Sequence, residues 1–390
     1  MKLASRLARI DPFYVMECAK AAAEIARSPA CADSPMIFLN IGEPDFTAAP
    51  AVLAAARRCM DAGHTHYTQA TGEPALRARI SRWYGERFGL DVPAHRIVVT
   101  AGASAALQLA CLALVEQGDE VLMPDPSYPC NRHFVAAADG VPVLLPASAA
   151  QRFQLDAAGV EAAWTARTAG VLLASPSNPT GTSIAPGEMG RIVQAVRARG
   201  GFTIVDEIYL ALSFDDAYGR SALAHAVQGD VISINSFSKY FCMTGWRLGW
   251  MVVPEALVAP IERLAQNLYI CPSSIAQHAA LACFEPEAIT EYEHRRAEFR
   301  ARRDFLVPAL DALGLAVPVL PDGAFYAWAD VSKHAASSWD FAFDMMRRAH
   351  VAITPGRDFG RAASERFVRL SYASSMPQLQ EAVRRLAAVL

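Results

Sequence analysis

One lysine stands among residues that could make its amine reactive. In the segment "SFSKYFCMTGWRLG", Lys239 follows Ser236 and Ser238 and lies eight residues before Arg247. A lysine that reacts as a neutral amine needs a lowered pKa, which partial burial or a cation such as Arg247 could supply. The Arg247 fork also suits a phosphate dianion, and the serine hydroxyls add donors. Alone, Lys239 could be a solvated loop residue; with these neighbours it is predicted to form a Schiff base beside a phosphate pocket.

The composition is typical of a globular protein that acts on small molecules. With 390 residues, 53% of them hydrophobic, the chain can bury a large core and form two domains. A net charge of −3 provides no basic surface for nucleic acid or an anionic membrane. The N-terminus lacks the apolar run of a secretion signal, and no stretch of about 18 apolar residues follows. We therefore expect a soluble cytoplasmic protein.

The cysteines and histidines do not form a pattern that is typical of a metal site. The eight cysteines are scattered without a C-x-x-C pair, so we expect reduced, buried thiols. His64 and His66 have no set of carboxylates or cysteines nearby in the sequence. No metal is predicted.

Six short apolar runs between about residues 95 and 255 alternate with helical stretches and predict a doubly wound α/β domain. The runs are "RIVVT", "EVLMP", "GVLLAS", "FTIVD", "DVISIN" and "GWMVV". Polar clusters follow five of them: "AGAS", "DPSYP", "PSNPTG", "DEIY" and "SFSK". Because ligands bind outside the carboxyl ends of strands in open α/β sheets, we expect these clusters to converge on one crevice.

The lysine segment resembles that of a known family. A Schiff-base lysine beside a phosphate pocket is what a pyridoxal phosphate site requires. Nearly from end to end, the chain resembles the pyridoxal 5′-phosphate enzymes of the aspartate aminotransferase superfamily, the class I/II aminotransferases of fold type I. In that family "S-x-S-K" followed by "GWRLG" carries the cofactor lysine, here Lys239. The resemblance makes Ser236 and Arg247 phosphate ligands, and Ser238 lies beside them.

We predict a large cofactor-binding domain over residues 46–280, with a mostly parallel, mixed sheet. A smaller α+β domain is predicted from residues 1–45 and 281–390, where strands and helices are mixed differently. A helical segment from about Pro12 to Arg27 is expected to pack away from the large sheet.

Three polar residues at predicted strand ends match ligands of the cofactor ring in the family. Asp206 could be an ordinary strand-end acid, but an aspartate on the pyridine nitrogen keeps the ring protonated as an electron sink. Tyr209 and Asn178 resemble the residues that hydrogen-bond the phenolic oxygen, and Asn178 also belongs to the predicted substrate site. Their alternatives are a half-buried tyrosine and a turn asparagine.

Other cofactor contacts are predicted around the phosphate. "AGASAALQLA" reads as a strand end, a turn and a helix start, whose free amides form an anion site. We assign Gly102, Ala103 and Ser104 to the phosphate; a serine helix cap without a ligand is the alternative. Tyr128 matches the aromatic residue that stacks on the pyridine. Tyr67 matches the tyrosine that reaches the neighbouring subunit's cofactor, which implies a homodimer with shared active sites.

The substrate residues come from the two ends of the chain. In relatives, the arginine of the strand-like "RFVRLSYA", here Arg369, clamps the substrate's α-carboxylate with two hydrogen bonds. Gly42 in "NIGEPDF" resembles the backbone that closes over the same carboxylate. The candidates for the side-chain pocket, chosen by position, predict a neutral or aromatic substrate, with aspartate still open: Phe13, Tyr14, Ile41 and Tyr269.

The predicted function is transfer of the amino group of an L-amino acid to a 2-oxo acid, in two half-reactions with ping-pong kinetics. Lys239 would move the proton between the substrate's Cα and the cofactor's C4′. A pyridoxal phosphate-dependent β-lyase on sulfur amino acids needs nearly the same ligands and remains the alternative. A cofactor-sensing regulator would need a DNA-binding domain, and a nicotinamide reductase a G-x-G-x-x-G after its first strand; neither is found in the sequence.

Overall fold

The computed structural model describes residues 2–12, 14–226 and 230–390. Its helices are α1 (Tyr14–Ala26), α2 (Pro50–Asp61), α3 (Pro74–Phe88), α4 (Ala103–Leu114), α5 (Pro129–Ala137), α6 (Ala157–Ala163), α7 (Pro186–Arg197), α8 (Glu255–Leu268), α9 (Ser274–Ala280), α10 (Pro286–Ala312), α11 (Ser338–Arg348) and α12 (Met376–Ala387). Its strands are β1 (Ile37–Phe38), β2 (Ile97–Thr100), β3 (Glu120–Asp125), β4 (Val141–Pro146), β5 (Thr168–Ala174), β6 (Phe202–Asp206), β7 (Val231–Ser236), β8 (Gly249–Val252), β9 (Tyr326–Asp330), β10 (Val351–Ala352), β11 (Thr354–Pro355) and β12 (Phe367–Ser371).

Seven strands form a mixed, mostly parallel sheet in the order β2-β8-β7-β6-β5-β3-β4. The six predicted strands are confirmed, and their continuous apolar runs reflect burial on both faces of the sheet. The sequence reading missed β4. This strand lies at the sheet edge and contains Pro142 and Pro146, which an edge tolerates but which weaken the strand pattern.

The strand directions bring the predicted polar clusters to one edge of this sheet. Strand β8 runs antiparallel to both of its neighbours, β2 and β7, whereas the remaining pairs are parallel. The carboxyl ends of β2, β3, β5, β6 and β7 therefore point the same way. Each of these ends leads into one of the five clusters.

The C-terminal part forms smaller sheets. Strand β12 pairs antiparallel with β11 and β9, and β1 pairs parallel with β10. The strand predicted at "RFVRLSYA" is confirmed as β12, and the longest helix of the described residues, α10, comes before the strands β9 to β12. The domain boundaries remain a prediction. Within the described ranges, no helix is both long and apolar enough to cross a membrane.

A buried aromatic cluster holds the backbone around the lysine. Phe237 and Phe241, two residues to either side of Lys239, are at most 1% exposed. Both rings pack against Trp250 and Phe284. The amide of Phe237 donates to the carbonyl of Leu248 at 3.0 Å, which ties the lysine loop to the start of β8. The loop is therefore fixed by core packing on both sides of the reactive residue.

We expect Phe241→Ala to lower the free energy of unfolding by about 3 to 5 kcal/mol, because it removes a fully buried ring and leaves a cavity. Urea unfolding monitored by far-UV circular dichroism would measure the change. Leu320→Ala is the control: this side chain is 54% exposed, so the change should stay within about 0.5 kcal/mol. Equal losses in both variants would contradict the structural role given to the aromatic cluster.

Candidate active site

A cavity of about 700 Å³ opens at the carboxyl edge of the large sheet. Residues from all five predicted clusters line it: Ala103, Ser104, Tyr128, Asn178, Asp206, Tyr209, Ser236, Ser238 and Lys239; Arg247 lines it as well. Gly42 reaches the same cavity from the segment after β1, and Arg369 reaches it from β12. The expected convergence on one crevice is thus what the structure has.

Two of the predicted cofactor-binding residues, Gly102 and Tyr67, do not line the cavity. Gly102 precedes α4 with a φ of +83°, and a Cβ there would lie 2.7 Å from Nη2 of Arg247. Glycine therefore permits the close approach of Arg247 to the helix start. Tyr67 is 80% exposed and lies outside the lining of its own chain's cavity. Its predicted contact with a neighbouring subunit stays a prediction.

Lys239 lies in the turn after β7, and its Nζ donates to the carbonyl of Gly42 at 2.7 Å. Burial lowers the pKa of Lys239 to about 8, with Arg369 and Arg247 acting in the same direction and Glu43 and Asp206 opposing them. The sequence analysis predicted that burial or Arg247 could lower this pKa, and burial has the larger effect on it. Near neutral pH, the neutral fraction of the Lys239 amine is therefore larger than that of an ordinary lysine.

Asp206 ends β6 and is 4% exposed. Burial raises the pKa of this carboxyl to about 7, although a hydrogen bond from the Ile208 amide favours the charged form. A cationic group placed against it in the cavity would restore the carboxylate, because opposite charges stabilise each other where water is excluded. Asp206 is suited to hold a protonated ring nitrogen.

Several donors meet at the start of α4. The first amides of a helix have no partner within it, so those of Ala103 and Ser104 are free for an anion. A Cβ on Gly249 would lie 2.8 Å from the Ala103 amide, which shows how closely β8 approaches this turn. Ser236 accepts a hydrogen bond from the Ser238 amide at 3.0 Å, which fixes the serine loop. Together with Arg247 these groups fit a phosphate.

Arg369 is 3% exposed and is fixed on several sides. Its Nη1 donates to Oδ1 of Asn178 at 2.9 Å, and its Nη2 donates to the carbonyl of Asn40 at 2.7 Å. Its Nε is buried without a protein partner among the described residues. Because Asn178 uses its oxygen for Arg369, the amide NH₂ remains available to another acceptor. The guanidinium is held in place before any carboxylate arrives.

The sequence reading missed part of the cavity wall. Helix α1 packs on α11 and the C-terminal strands, away from the large sheet as expected, but its residues Val15, Met16 and Ala19 also line the cavity. The Asp358 carboxylate accepts hydrogen bonds from the amides of Tyr14 and Val15 and anchors the start of the helix there. No sequence signal links positions so far apart.

Tyr326 is a second omission. It opens β9, lines the cavity and places its hydroxyl 2.7 Å from that of Tyr209. In the sequence, "GAFYAW" resembles an ordinary core strand, because an aromatic residue at strand spacing is usually core. Only the pairing of β9 with β12 shows that this ring faces the site.

Among the side-chain pocket candidates that the structure describes, only Ile41 is found in the cavity lining. The predictions for Tyr14 and Tyr269 were wrong. The Tyr14 ring packs edge-on against Trp339 with 6.1 Å between centroids, and the Tyr269 hydroxyl donates to Gln108. Phe13 lies outside the described residues. Position along the chain alone did not identify which face of α1 meets the cavity.

Fold and site together define a class of enzyme. The family model described as aminotransferase class I and II matches residues 34–386, and the chain belongs to this family; it is an aminotransferase. It is 37% identical over 379 residues to the valine–pyruvate aminotransferase of Mycobacterium tuberculosis, covering 97% of this chain and 96% of that one.

Solved structures agree with this assignment. An aminotransferase from Mycobacterium tuberculosis superimposes with a TM-score of 0.94 at 37% identity, covering 100% of this chain and 99% of that one. Aspartate aminotransferase from Thermus thermophilus with maleate gives a TM-score of 0.93 at 31% identity, with full coverage of both chains. The predicted fold type is therefore confirmed.

We expect cyanate to modify Lys239 of the cofactor-free protein at a rate that reaches half its plateau near pH 8, because only the neutral amine reacts and burial lowers the pKa to about 8. Mass spectrometry of peptides across a pH series would measure the rate. Lys333 is exposed and serves as the surface lysine in the same sample. A Lys239 rate that keeps rising to pH 10 would contradict the lowered pKa.

Proposed function

We propose that this aminotransferase uses pyridoxal 5′-phosphate to move the amino group of an L-amino acid to a 2-oxo acid with ping-pong kinetics. The observation that carries the proposal is the meeting of Lys239, Asp206 and the anion pocket at Arg247 in one cavity. Arg369 supplies a second cationic group in the lining of the same cavity. One cavity can thus hold a phosphate and a substrate carboxylate together.

The donor set fits this cofactor group by group. Asp206 would hold the ring nitrogen, Tyr128 would lie on the ring face, and Tyr209 and Asn178 would donate to the phenolic oxygen. The phosphate would be bound by Ser236, Ser238, Arg247 and the backbone of Gly102, Ala103 and Ser104. When bound, pyridoxal phosphate supplies an aldehyde that condenses with amines and a ring that withdraws electrons from the substrate's Cα.

The residues of the chain supply binding and proton transfer. The Arg369 guanidinium would clamp the substrate's α-carboxylate and so fix the direction of the Cα–H bond. Lys239 would carry the cofactor at rest and act as general base on the proton at Cα once an amino acid has replaced it. Its pKa of about 8 suits this role, because a useful fraction of the amine is neutral near pH 7.

We propose that the preferred substrate has a neutral, apolar side chain. Val15, Met16, Ala19 and Ile41 form an apolar wall in the cavity, and Met16 and Ile41 keep 54% and 44% of their surface exposed. The cations in the described lining are Lys239, Arg247 and Arg369, each with a role already proposed. An acidic side chain would find no further cation there. The similarity to a valine–pyruvate aminotransferase also favours this class.

We expect the visible band of the cofactor-loaded enzyme to convert to the pyridoxamine form when valine is added without an oxo acid, and aspartate to convert it far more slowly. Lys239→Ala should slow the conversion by at least roughly 100-fold, because it removes the general base. Stopped-flow absorbance with a panel of amino acids would measure both effects. Lys333→Ala, at an exposed position, is the matched control.

Three results would contradict parts of the proposed function. Accumulation of pyruvate and ammonia from a cysteine conjugate, with the band unchanged, would replace transamination by β-elimination. Intersecting lines in a two-substrate rate analysis would exclude the ping-pong scheme. Faster conversion with aspartate than with valine would overturn the apolar substrate class and leave transamination standing.

We further propose a homodimer in which Tyr67 completes the site of the neighbouring subunit. Its 80% exposure and its place outside the cavity of its own chain support this proposal. Sedimentation should give twice the 42.1 kDa of one chain. Re-equilibrating inactive Tyr67→Ala with inactive Lys239→Ala should restore up to about one quarter of the activity, since half of the dimers would contain one complete site. No recovery despite mixed dimers would exclude sharing.

A further inference from the structure

At the cavity, Tyr326 contacts residues of both the large sheet and the smaller sheet that contains β12. Its hydroxyl is 2.7 Å from that of Tyr209, which follows β6 of the large sheet. The guanidinium carbon of Arg369, a residue of β12, lies over the Tyr326 ring at 4.6 Å from the ring centroid. A Cβ on Gly42 would lie 2.4 Å from the same hydroxyl, so the segment after β1 packs directly against it. One fully buried side chain thus touches three residues of the proposed site.

We propose that Tyr326 is a positioning residue that fixes the Tyr209 hydroxyl and the Arg369 guanidinium, and thereby couples cofactor binding to substrate binding. The inference rests on the proposed function, in which Tyr209 serves the cofactor and Arg369 the substrate. Tyr326 itself is assigned no contact with either ligand. It acts through Tyr209 and Arg369.

The hydrogen bond between the two tyrosines has a direction that the chemistry requires. Burial raises the pKa of both phenols, so each remains a neutral hydroxyl near pH 7. Only one proton can lie between the two oxygens. If Tyr209 is to donate its proton to the cofactor, Tyr326 must donate to Tyr209. The Tyr326 hydroxyl has no other hydrogen-bond partner among the described residues, which leaves its proton for this bond.

The surroundings of the two hydroxyls are charged on several sides. Arg369 faces both phenols and lowers the pKa of each, while Tyr128 faces Tyr209 from the start of α5. The Lys239 amine lies 5.8 Å from the centre of the Tyr209 ring, and Asp206 is three residues before Tyr209. None of these groups takes the place of Tyr326 as hydrogen-bond partner of Tyr209 in the described contacts.

Arg369 is held between two rings. Phe359 faces its guanidinium at 4.9 Å, in addition to the Tyr326 ring. Aromatic faces attract guanidinium groups and restrict their tilt. The ring of Tyr326 and its hydroxyl therefore have separable tasks, since phenylalanine would keep the first and lose the second.

The hydroxyl is tested by the pH at which the visible band of the cofactor-loaded enzyme changes. A donor to the cofactor's phenolic oxygen draws electron density from it and lowers the pKa of the conjugated group. Tyr326→Phe weakens Tyr209 as that donor, so the midpoint should rise by about 0.5 to 1 pH unit. Tyr372→Phe is the matched control: Tyr372 is fully buried beside Phe325 and its hydroxyl has no hydrogen-bond partner among the described residues, so the midpoint should not move.

A double variant decides whether Tyr326 acts through Tyr209. In a Tyr209→Phe background, adding Tyr326→Phe should produce no further shift, because coupled residues are not additive. A further shift of the same size would overturn the inference. The inference would also be overturned if Tyr209→Phe shifted the midpoint and Tyr326→Phe left it unchanged. If Tyr209→Phe itself leaves the midpoint unchanged, the proposed cofactor role of Tyr209 is wrong and the inference fails with it.

The ring is tested by the KM for the amino acid. Tyr326→Phe should leave this KM within about twofold, whereas Tyr326→Leu should raise it roughly threefold or more, since leucine offers Arg369 no aromatic face. Thermal unfolding of the cofactor-free variants would show that both are folded. An equal KM for the two variants would contradict the role given to the ring.

Discussion

Removal of water from charged groups is the interaction on which this site depends. Burial lowers the pKa of the Lys239 amine to about 8 and raises that of the Asp206 carboxyl to about 7, so each is brought close to neutral pH. For Lys239 the shift increases the fraction of neutral amine, whereas Asp206 regains its carboxylate when a cation lies against it. The cavity can hold both Lys239 and Asp206 because their opposite charges partly compensate each other. Arg369 and Arg247 add positive charge, which favours the binding of anions in the cavity.

The architecture follows from the need to hold such groups in place. Five strand ends point to one edge of the large sheet and deliver their polar turns there. Small residues allow the backbone to come close: Gly102 gives Arg247 access to the start of α4, and Gly42 lies against Tyr326. The aromatic cluster around Phe237 and Phe241 holds the lysine loop in place through packing in the core. Core packing thus determines where the reactive groups stand.

The parts of the site that serve the cofactor and the substrate have different origins in the fold. The proposed cofactor residues lie mostly on turns of the large sheet, whereas Arg369 belongs to β12 and the apolar wall to α1 and the segment after β1. The carboxylate of Asp358, far away in the sequence, accepts hydrogen bonds from the first amides of α1 and helps to hold this part of the wall. A family with a common cofactor site can change substrates by altering such a wall, because the wall takes no part in holding the cofactor.

The sequence by itself determined the family, six of the seven strands of the large sheet and the polar residues at the ends of five of them, because short motifs and strand periodicity are local properties. From the family motifs it predicted one site containing Lys239, Asp206 and Arg369, and the structure places all three in the lining of one cavity. Only the tertiary structure decided that α1 lines the cavity, that Tyr14 and Tyr269 do not, and that Tyr326 joins Tyr209 to Arg369. These facts depend on contacts between residues far apart in the chain, such as Val15 with Asp358, and no local pattern records such a contact.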